Sequence, residues 1–326
     1  MNKSIRNLFF FIGIAAVVFM MVGLNLSLAS LHNLLKQAGV YFPLVLILWV
    51  VIYGINTLSW KQLLHGLDSP AIPFRVLYKI TVSGFALNYV TPGGLNGGEA
   101  YRILALKPYV GVARASSSTL LYSILHMASH LLFWFFGAML LLFYTLPWTY
   151  YLIIGIVLVC CLLLLWLFTF VMKKGTIHLV SVLLLKIPRL GTHVGRFELK
   201  YRDILVRIDD EVREVYLHRP KAFRNTLALE FLARLVGCLE ISLLMVPLIG
   251  IQSFLVAYLV MAIASLMANL LFFMPMQLGG REGGFTLAFS ILGYSAQYGL
   301  FVGLLVRLRE LIWIAIGVLL IHKERD

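Results

Sequence analysis

Pro92-Gly93-Gly94-Leu95-Asn96-Gly97-Gly98-Glu99 interrupts an apolar run with a proline, four glycines and a carboxylate. Such a stretch leaves backbone N–H and C=O groups without intrahelical partners. Inside a bilayer, these groups are tolerated only where protein or a water-filled cavity satisfies them. The stretch therefore reads as the wall of a cavity. A second one, Pro275-Met276-Gln277-Leu278-Gly279-Gly280-Arg281-Glu282, repeats Pro92, Leu95, Gly97 and Glu99 as Pro275, Leu278, Gly280 and Glu282 at one constant offset. Two related halves are expected.

The surrounding composition sets the class. With 61% hydrophobic residues in 326 and a mean hydropathy of +0.93, the chain is a polytopic membrane protein rather than a soluble one. Its net charge of +13 sits mostly in short loops beside apolar spans. There it sets orientation and meets anionic headgroups, so nucleic acid is not the expected partner. Cys160, Cys161 and Cys238 lie inside apolar runs, with no metal-site or disulfide spacing, and read as lipid-facing or core residues.

Outward from the first stretch, residues 74–90 are apolar and residues 98–107 form a short piece followed by Lys107 and Arg114. A ten-residue helix covers about 15 Å, half of a roughly 30 Å hydrocarbon core. Residues 74–107 are thus expected to enter from the cytoplasm and return there. Upstream lie spans at 9–26 and 41–58. The first resembles a signal peptide but exceeds the usual apolar core of about 7–15 residues, so it is expected to be retained. Downstream, spans are expected at 116–144, 151–172, 226–249 and 298–321. Residues 253–274 either cross fully or enter from outside as part of a hairpin over 253–296. Only the hairpin keeps the final Lys323 and Arg325, the basic loop and both termini cytoplasmic, as the positive-inside rule requires.

The fold class that follows is all-α: six transmembrane helices plus two re-entrant helical hairpins in an inverted repeat, an architecture recurrent among transporters. The halves are 1–172 and 225–326. Between them, 173–224 is a cytoplasmic basic linker with 12 Lys and Arg against 6 Asp and Glu. In it Phe197, Tyr201, Ile204, Leu205, Ile208, Val212 and Val215 recur at helical spacing up to the stop at Pro220. This amphipathic helix is expected to lie on anionic lipid, or else to bind a partner.

Charged residues inside apolar spans are costly and need a reason. Here they are Glu99, Arg102, Glu230, Arg234, Glu240, Arg281, Glu282, Arg307, Arg309 and Glu310. Arg307 and Glu310 at i, i+3, and Glu230 and Arg234 at i, i+4, are spaced to pair. The half-helices starting near Gly98 and Gly283 would aim free N–H groups into the cavity and favour an anion, with Arg281 and Arg307 adding direct contacts to a phosphate. Glu99 and Glu282 either pair with Arg102 and Arg281, cap their half-helices, or carry a coupled proton. Asn88, Asn96, Asn269 and Gln277 either contact headgroup oxygens or satisfy broken backbone. His126 and His130 have metal-compatible spacing, but no third ligand is evident. They read as packing or hydrogen-bonding histidines, with a proton relay as the alternative. No cofactor or metal is expected, and the glycine-rich stretches lack the Gly-Lys-Ser/Thr end of a P-loop.

At the Pro92 stretch, and again at Leu278-Gly279-Gly280-Arg281-Glu282, the chain resembles the lysylphosphatidylglycerol synthase transmembrane-region family. That family is the flippase-like membrane domain of the multiple peptide resistance factor. The resemblance extends over essentially the whole length, including the basic loop and the arginine-bearing last span. It implies movement of a phospholipid between leaflets and re-entrant helices around a central cavity, and carries over Glu99, Arg102, Glu282 and Arg307. The best-known members continue into an aminoacyl-transferase domain, whereas this sequence stops at Asp326, so lipid aminoacylation is not expected of it.

The expected function is non-enzymatic translocation of an anionic phospholipid or lipid-linked headgroup in the bacterial inner membrane. The expected substrate-binding set is Asn88, Asn96, Gly97, Glu99, Arg102, Gln277, Arg281, Glu282 and Arg307, and the expected partners are membrane lipids, with a homodimer or a lipid-synthesis enzyme as further candidates. The alternative is a membrane-embedded enzyme, or an accessory scaffold, acting on polyprenyl-phosphate or a lipid-linked sugar.

Overall fold

The computed structural model describes residues 28–64, 72–91, 97–174, 191–271, 277 and 279–322. The expected first span at 9–26, residues 92–96 of the first glycine-rich stretch, and Pro275, Met276 and Leu278 of the second lie outside the described residues. All regular structure among the described residues is helical. In chain order the helices are α1 (Leu28–Ala38), α2 (Tyr41–Leu64), α3 (Phe74–Val90), α4 (Gly97–Leu141) and α5 (Trp148–Lys174). They continue with α6 (Gly191–His218), α7 (Pro220–Ile249), α8 (Phe254–Leu270), α9 (Gly280–Ile291) and α10 (Ala296–His322).

Four of these, α2, α4, α5 and α7, are long and apolar enough to cross a membrane. Helix α10 is long enough, at 27 residues, but carries Arg307, Arg309 and Glu310 at mid-length. Helices α3 and α8 have 17 residues each. That is about 26 Å, short of a roughly 30 Å core.

Helix α4 is two helices in sequence. Gly111 sits at φ 79°, ψ 169°, a conformation open essentially only to glycine. The short piece expected to end at Lys107 thus runs on past Pro108 and turns at Gly111, the first residue able to adopt the corner.

Polar ties fix the bundle. Along α2 and α7, Ser59 Oγ donates to the Thr226 carbonyl (3.3 Å) and Thr226 Oγ1 donates to the Ser59 carbonyl (3.2 Å). Helix α3 lies against α10, where Ser83 Oγ donates to the Gly317 carbonyl (2.9 Å). A side chain on Gly317 would fall 2.5 Å from Ala86 Cβ, so glycine sets this approach. Helix α8 is bound to α4 by Tyr258 to the Phe133 carbonyl (2.9 Å) and by Trp134 Nε1 to Ser265 Oγ (2.9 Å). Helix α5 stays at the periphery, presenting Leu152, Ile156, Leu163 and Trp166 outward, as a lipid-facing helix does.

The amphipathic linker helix is present as α6, and Pro220 opens the next helix. Part of its stripe faces protein rather than lipid: Ile208, Val212 and Val215 are buried, the last two in a cluster with Leu63, Leu121 and Met172. Ser117 Oγ donates to Glu211 in the same seam. The side chains of Phe197 and Tyr201 lie outside the described residues.

Candidate functional site

A cavity of about 350 Å³ lies at the centre, walled by α2, α3 and α4 on one side and α7 to α10 on the other. Its polar lining includes Asn56, Asn88, His126 and His130 from the first half and Glu230, Arg234, Ser265, Gln277, Arg281 and Arg309 from the second. Tyr53, Phe85, Tyr89, Trp49 and Phe133 supply aromatic faces between them. The helices flanking both glycine-rich stretches reach it, through Asn88 and Tyr89 on α3 and through Gln277, Arg281 and Phe285 around α9.

At the start of α9, Glu282 caps its own helix, accepting the Gly279 N–H on Oε2 at 2.9 Å. Its other oxygen accepts Arg307 Nε at 2.7 Å. Arg307, fully buried, also donates to Glu310 Oε2 (2.9 Å) and to the Gln277 carbonyl (3.2 Å). The sequence suggested Arg281 as the partner of Glu282. Instead Arg281 pairs with Glu310, donates to Gln277 Oε1 (3.0 Å) and lies 5.6 Å from the Tyr89 ring, facing the cavity. The two expected phosphate contacts therefore differ, because Arg281 lines the cavity while Arg307 stands behind it holding α9 and α10 together.

The start of α4 is capped by another route. Asn88, on the preceding arm, accepts the Gly98 N–H on Oδ1 (2.8 Å) and donates from Nδ2 to Glu99 Oε1 (3.0 Å). One amide therefore serves both the helix end and the carboxylate. The arms touch so closely that a Cβ at Gly98 would lie 2.0 Å from the Gly84 carbonyl, and one at Gly97 2.2 Å from Thr91 Oγ1. Ser123 Oγ also donates to Glu99 (3.2 Å), and Arg102 stands 3.6 Å away. Arg102 is buried, its guanidinium centre 4.7 Å from the Phe85 ring centroid, 5.1 Å from that of Tyr122 and 5.8 Å from that of Trp60. Such a box of aromatic faces holds a cation without a second carboxylate. Asn88 lines the cavity; Gly97, Glu99 and Arg102 build the wall behind it, and Asn96 lies outside the described residues.

The facing wall joins α4 to α7. Glu230 meets His126 Nδ1 at 2.6 Å, and Asn56 Nδ2 donates to both of its oxygens (3.1 and 3.2 Å). Arg234 does not bond Glu230, although the spacing suggested it. It donates to Ser129 Oγ (2.7 Å), to the His126 carbonyl (2.8 Å), and bonds His130 Nδ1 (2.9 Å). Both histidines are thus hydrogen-bonded. Among the described residues no three His, Cys, Asp or Glu gather as a metal site. Arg309 grips Glu240 with two bonds (2.8 and 3.1 Å) and lies 3.8 Å from the Trp49 ring centroid. Glu230, Arg234, Glu240 and Arg309 were visible in the sequence as charges within apolar spans. Asn56, Tyr53 and Tyr89 carried no signal, since an asparagine or tyrosine in such a helix is ordinary.

These features define a multi-pass helical membrane protein whose paired charges enclose a polar, arginine-bearing cavity. The chain belongs to the lysylphosphatidylglycerol synthase transmembrane-region family, whose description, lysylphosphatidylglycerol synthase TM region, matches residues 9–317. Membership makes it a membrane protein of lipid-related function. No curated protein and no solved structure matches the chain.

Proposed function

We propose that this protein moves an anionic phospholipid or lipid-linked headgroup across the bacterial inner membrane, passing the headgroup through the central cavity while the tails stay in the bilayer. One observation carries the reading: the two interrupted helices converge on a single cavity, and the arginines that line it, Arg234, Arg281 and Arg309, sit among aromatic faces. A guanidinium in a site of low dielectric binds phosphate oxygens through charge-assisted bonds that water would otherwise weaken. Asn88, Gln277 and Arg281 contact the headgroup; Gly97, Glu99, Arg102, Glu282 and Arg307 hold the half-helices that place them, and Asn96 belongs to the first loop.

The halves are an inverted repeat in this reading, with both termini cytoplasmic. Matching features support the repeat. Each half-helix opens on a glycine, Gly97 or Gly280. Each packs a glycine on a carbonyl of the preceding arm, Gly98 on Gly84 and Gly284 on Ala264, and each ends at a glycine of positive φ, Gly111 or Gly293. Crossing arms of this kind, too short to span, meet at the midplane in transporters with broken helices.

The test is reconstitution into vesicles with fluorescent phosphatidylglycerol, followed by quenching of the outer leaflet. Wild type is expected to exchange the lipid between leaflets. Arg281→Ala, which removes one bond to a charged group worth about 1.5–3 kcal/mol, should slow exchange at least roughly tenfold. Rates unchanged in both Arg281→Ala and Arg234→Ala would overturn the assignment of this cavity.

A further inference from the structure

Five arginines and five glutamates surround the cavity and the two half-helices among the described residues, and four pairs are matched directly. Arg102 faces Glu99, Arg281 faces Glu310, Arg307 faces Glu282 and Arg309 faces Glu240. The fifth set differs. Arg234 is held by a serine, a histidine and a carbonyl, while Glu230 is held by His126 and Asn56. With Glu230 ionised and His126 neutral, the ten charges sum to zero, and an anionic headgroup entering this space adds an uncompensated negative charge. One proton on the His126–Glu230 pair supplies the missing positive charge.

We infer that the His126–Glu230 pair is a proton-binding site, and that one proton enters the cavity with each anionic headgroup, so that lipid movement is coupled to the proton gradient. The inference rests on the transport reading above. The other carboxylates are unsuited to the task. Protonating Glu240 would take from Arg309 the carboxylate that grips it with two bonds and leave Trp49 Nε1, which donates to the same carboxylate, beside a neutral acid; protonating Glu282 would take from Arg307 one of its two carboxylates. Glu310 is committed to both Arg281 and Arg307, while Glu99 lies 3.6 Å from Arg102 and is fixed by Asn88, whose amide also caps the helix start. Of the five glutamates, Glu230 is the one whose ion-pair partner is a histidine and not an arginine; it is held by an amide and by an imidazole that takes the proton itself.

The groups facing the pair are Asn56 and Tyr53 on α2, Phe85 and Tyr89 on α3, and Arg102, Tyr122 and His130 on α4. Arg234 on α7, and Arg281 and Arg309 across the cavity, complete them; α8 contributes only neutral Ser265 and Asn269. In transit the proton leaves water on one side, resides on the pair while the headgroup is bound, and returns to water on the other. A monoanion and a proton then cross without net charge.

Two measurements test this. In vesicles with fluorescent phosphatidylglycerol, an imposed gradient of one pH unit should bias wild-type movement toward the alkaline side by up to about tenfold, the ratio for one proton per lipid. Glu230→Gln and His126→Gln should each abolish the bias. On wild-type protein in detergent, addition of dihexanoyl-phosphatidylglycerol should give binding heat together with uptake of about one proton per chain, read with a pH indicator in weak buffer. Binding or movement with no proton uptake and no gradient effect overturns the coupling and leaves the transport reading standing. A gradient effect retained in both variants overturns the assignment to this pair. Neither binding nor movement by wild type overturns the transport reading itself.

Discussion

Arg307→Met should lower stability by about 3–5 kcal/mol, the cost of stranding a buried carboxylate by removing its partner. The figure follows from what the side chain holds. Arg307 is fully buried and donates to Glu282 at 2.7 Å, Glu310 at 2.9 Å and the Gln277 carbonyl at 3.2 Å. Glu310 keeps Arg281 after the substitution, but Glu282 keeps only the Gly279 N–H. Bonds to charged groups contribute about 1.5–3 kcal/mol each, so losing two costs about 3–6 kcal/mol, in line with that range. The double variant Arg307→Met/Glu282→Gln removes the stranded carboxylate and still offers an amide oxygen to Gly279, so it should recover at least about 1–2 kcal/mol. Equilibrium unfolding in mixed detergent micelles measures both. A single variant within about 0.5 kcal/mol of wild type, or a double variant no better than the single, would refute a structural role for this ion pair.

Other outcomes follow from the same packing. Gly98→Ala forces a methyl to 2.0 Å from the Gly84 carbonyl and disturbs the Asn88 cap; it should cost about 1–3 kcal/mol and part the hairpin arms, checked by disulfide trapping between cysteines placed on α3 and α4. Gly111→Ala has free space for its methyl, so its cost should be backbone strain alone, about 1–3 kcal/mol in the same unfolding assay. Val212→Asp places a carboxylate at a buried position of α6 and should destabilise strongly, whereas Val206→Asn, on the exposed side, should change stability by less than about 0.5 kcal/mol. Equal effects of these two would show that α6 is held by the membrane surface and not by the bundle.

Much of the architecture was legible because the bilayer admits few solutions. A helix broken by Pro and Gly, or charged at mid-length, had to border protein or water, and so Glu99, Arg281, Glu282 and Arg307 stood out as residues with a reason to exist. The i, i+3 pairing of Arg307 with Glu310 was readable too, since it depends on helix geometry alone. The pairing of Arg281 with Glu310 was not, because those residues come from different helices and no periodicity encodes which faces meet. Asn88 illustrates the same limit: its amide caps a helix that begins on the other arm of the hairpin.

The chain's own letters determined that it is a helical membrane protein, where its helices break, and which charges it hides. Those follow from local backbone chemistry and from the cost of polar groups in hydrocarbon. Only the folded arrangement decided the division of labour, placing Arg281 at the cavity and Arg307 behind it, and leaving Glu230 to a histidine instead of to the arginine one turn away. A salt bridge between helices is selected by distance and desolvation in three dimensions, and neither quantity exists until the helices have packed.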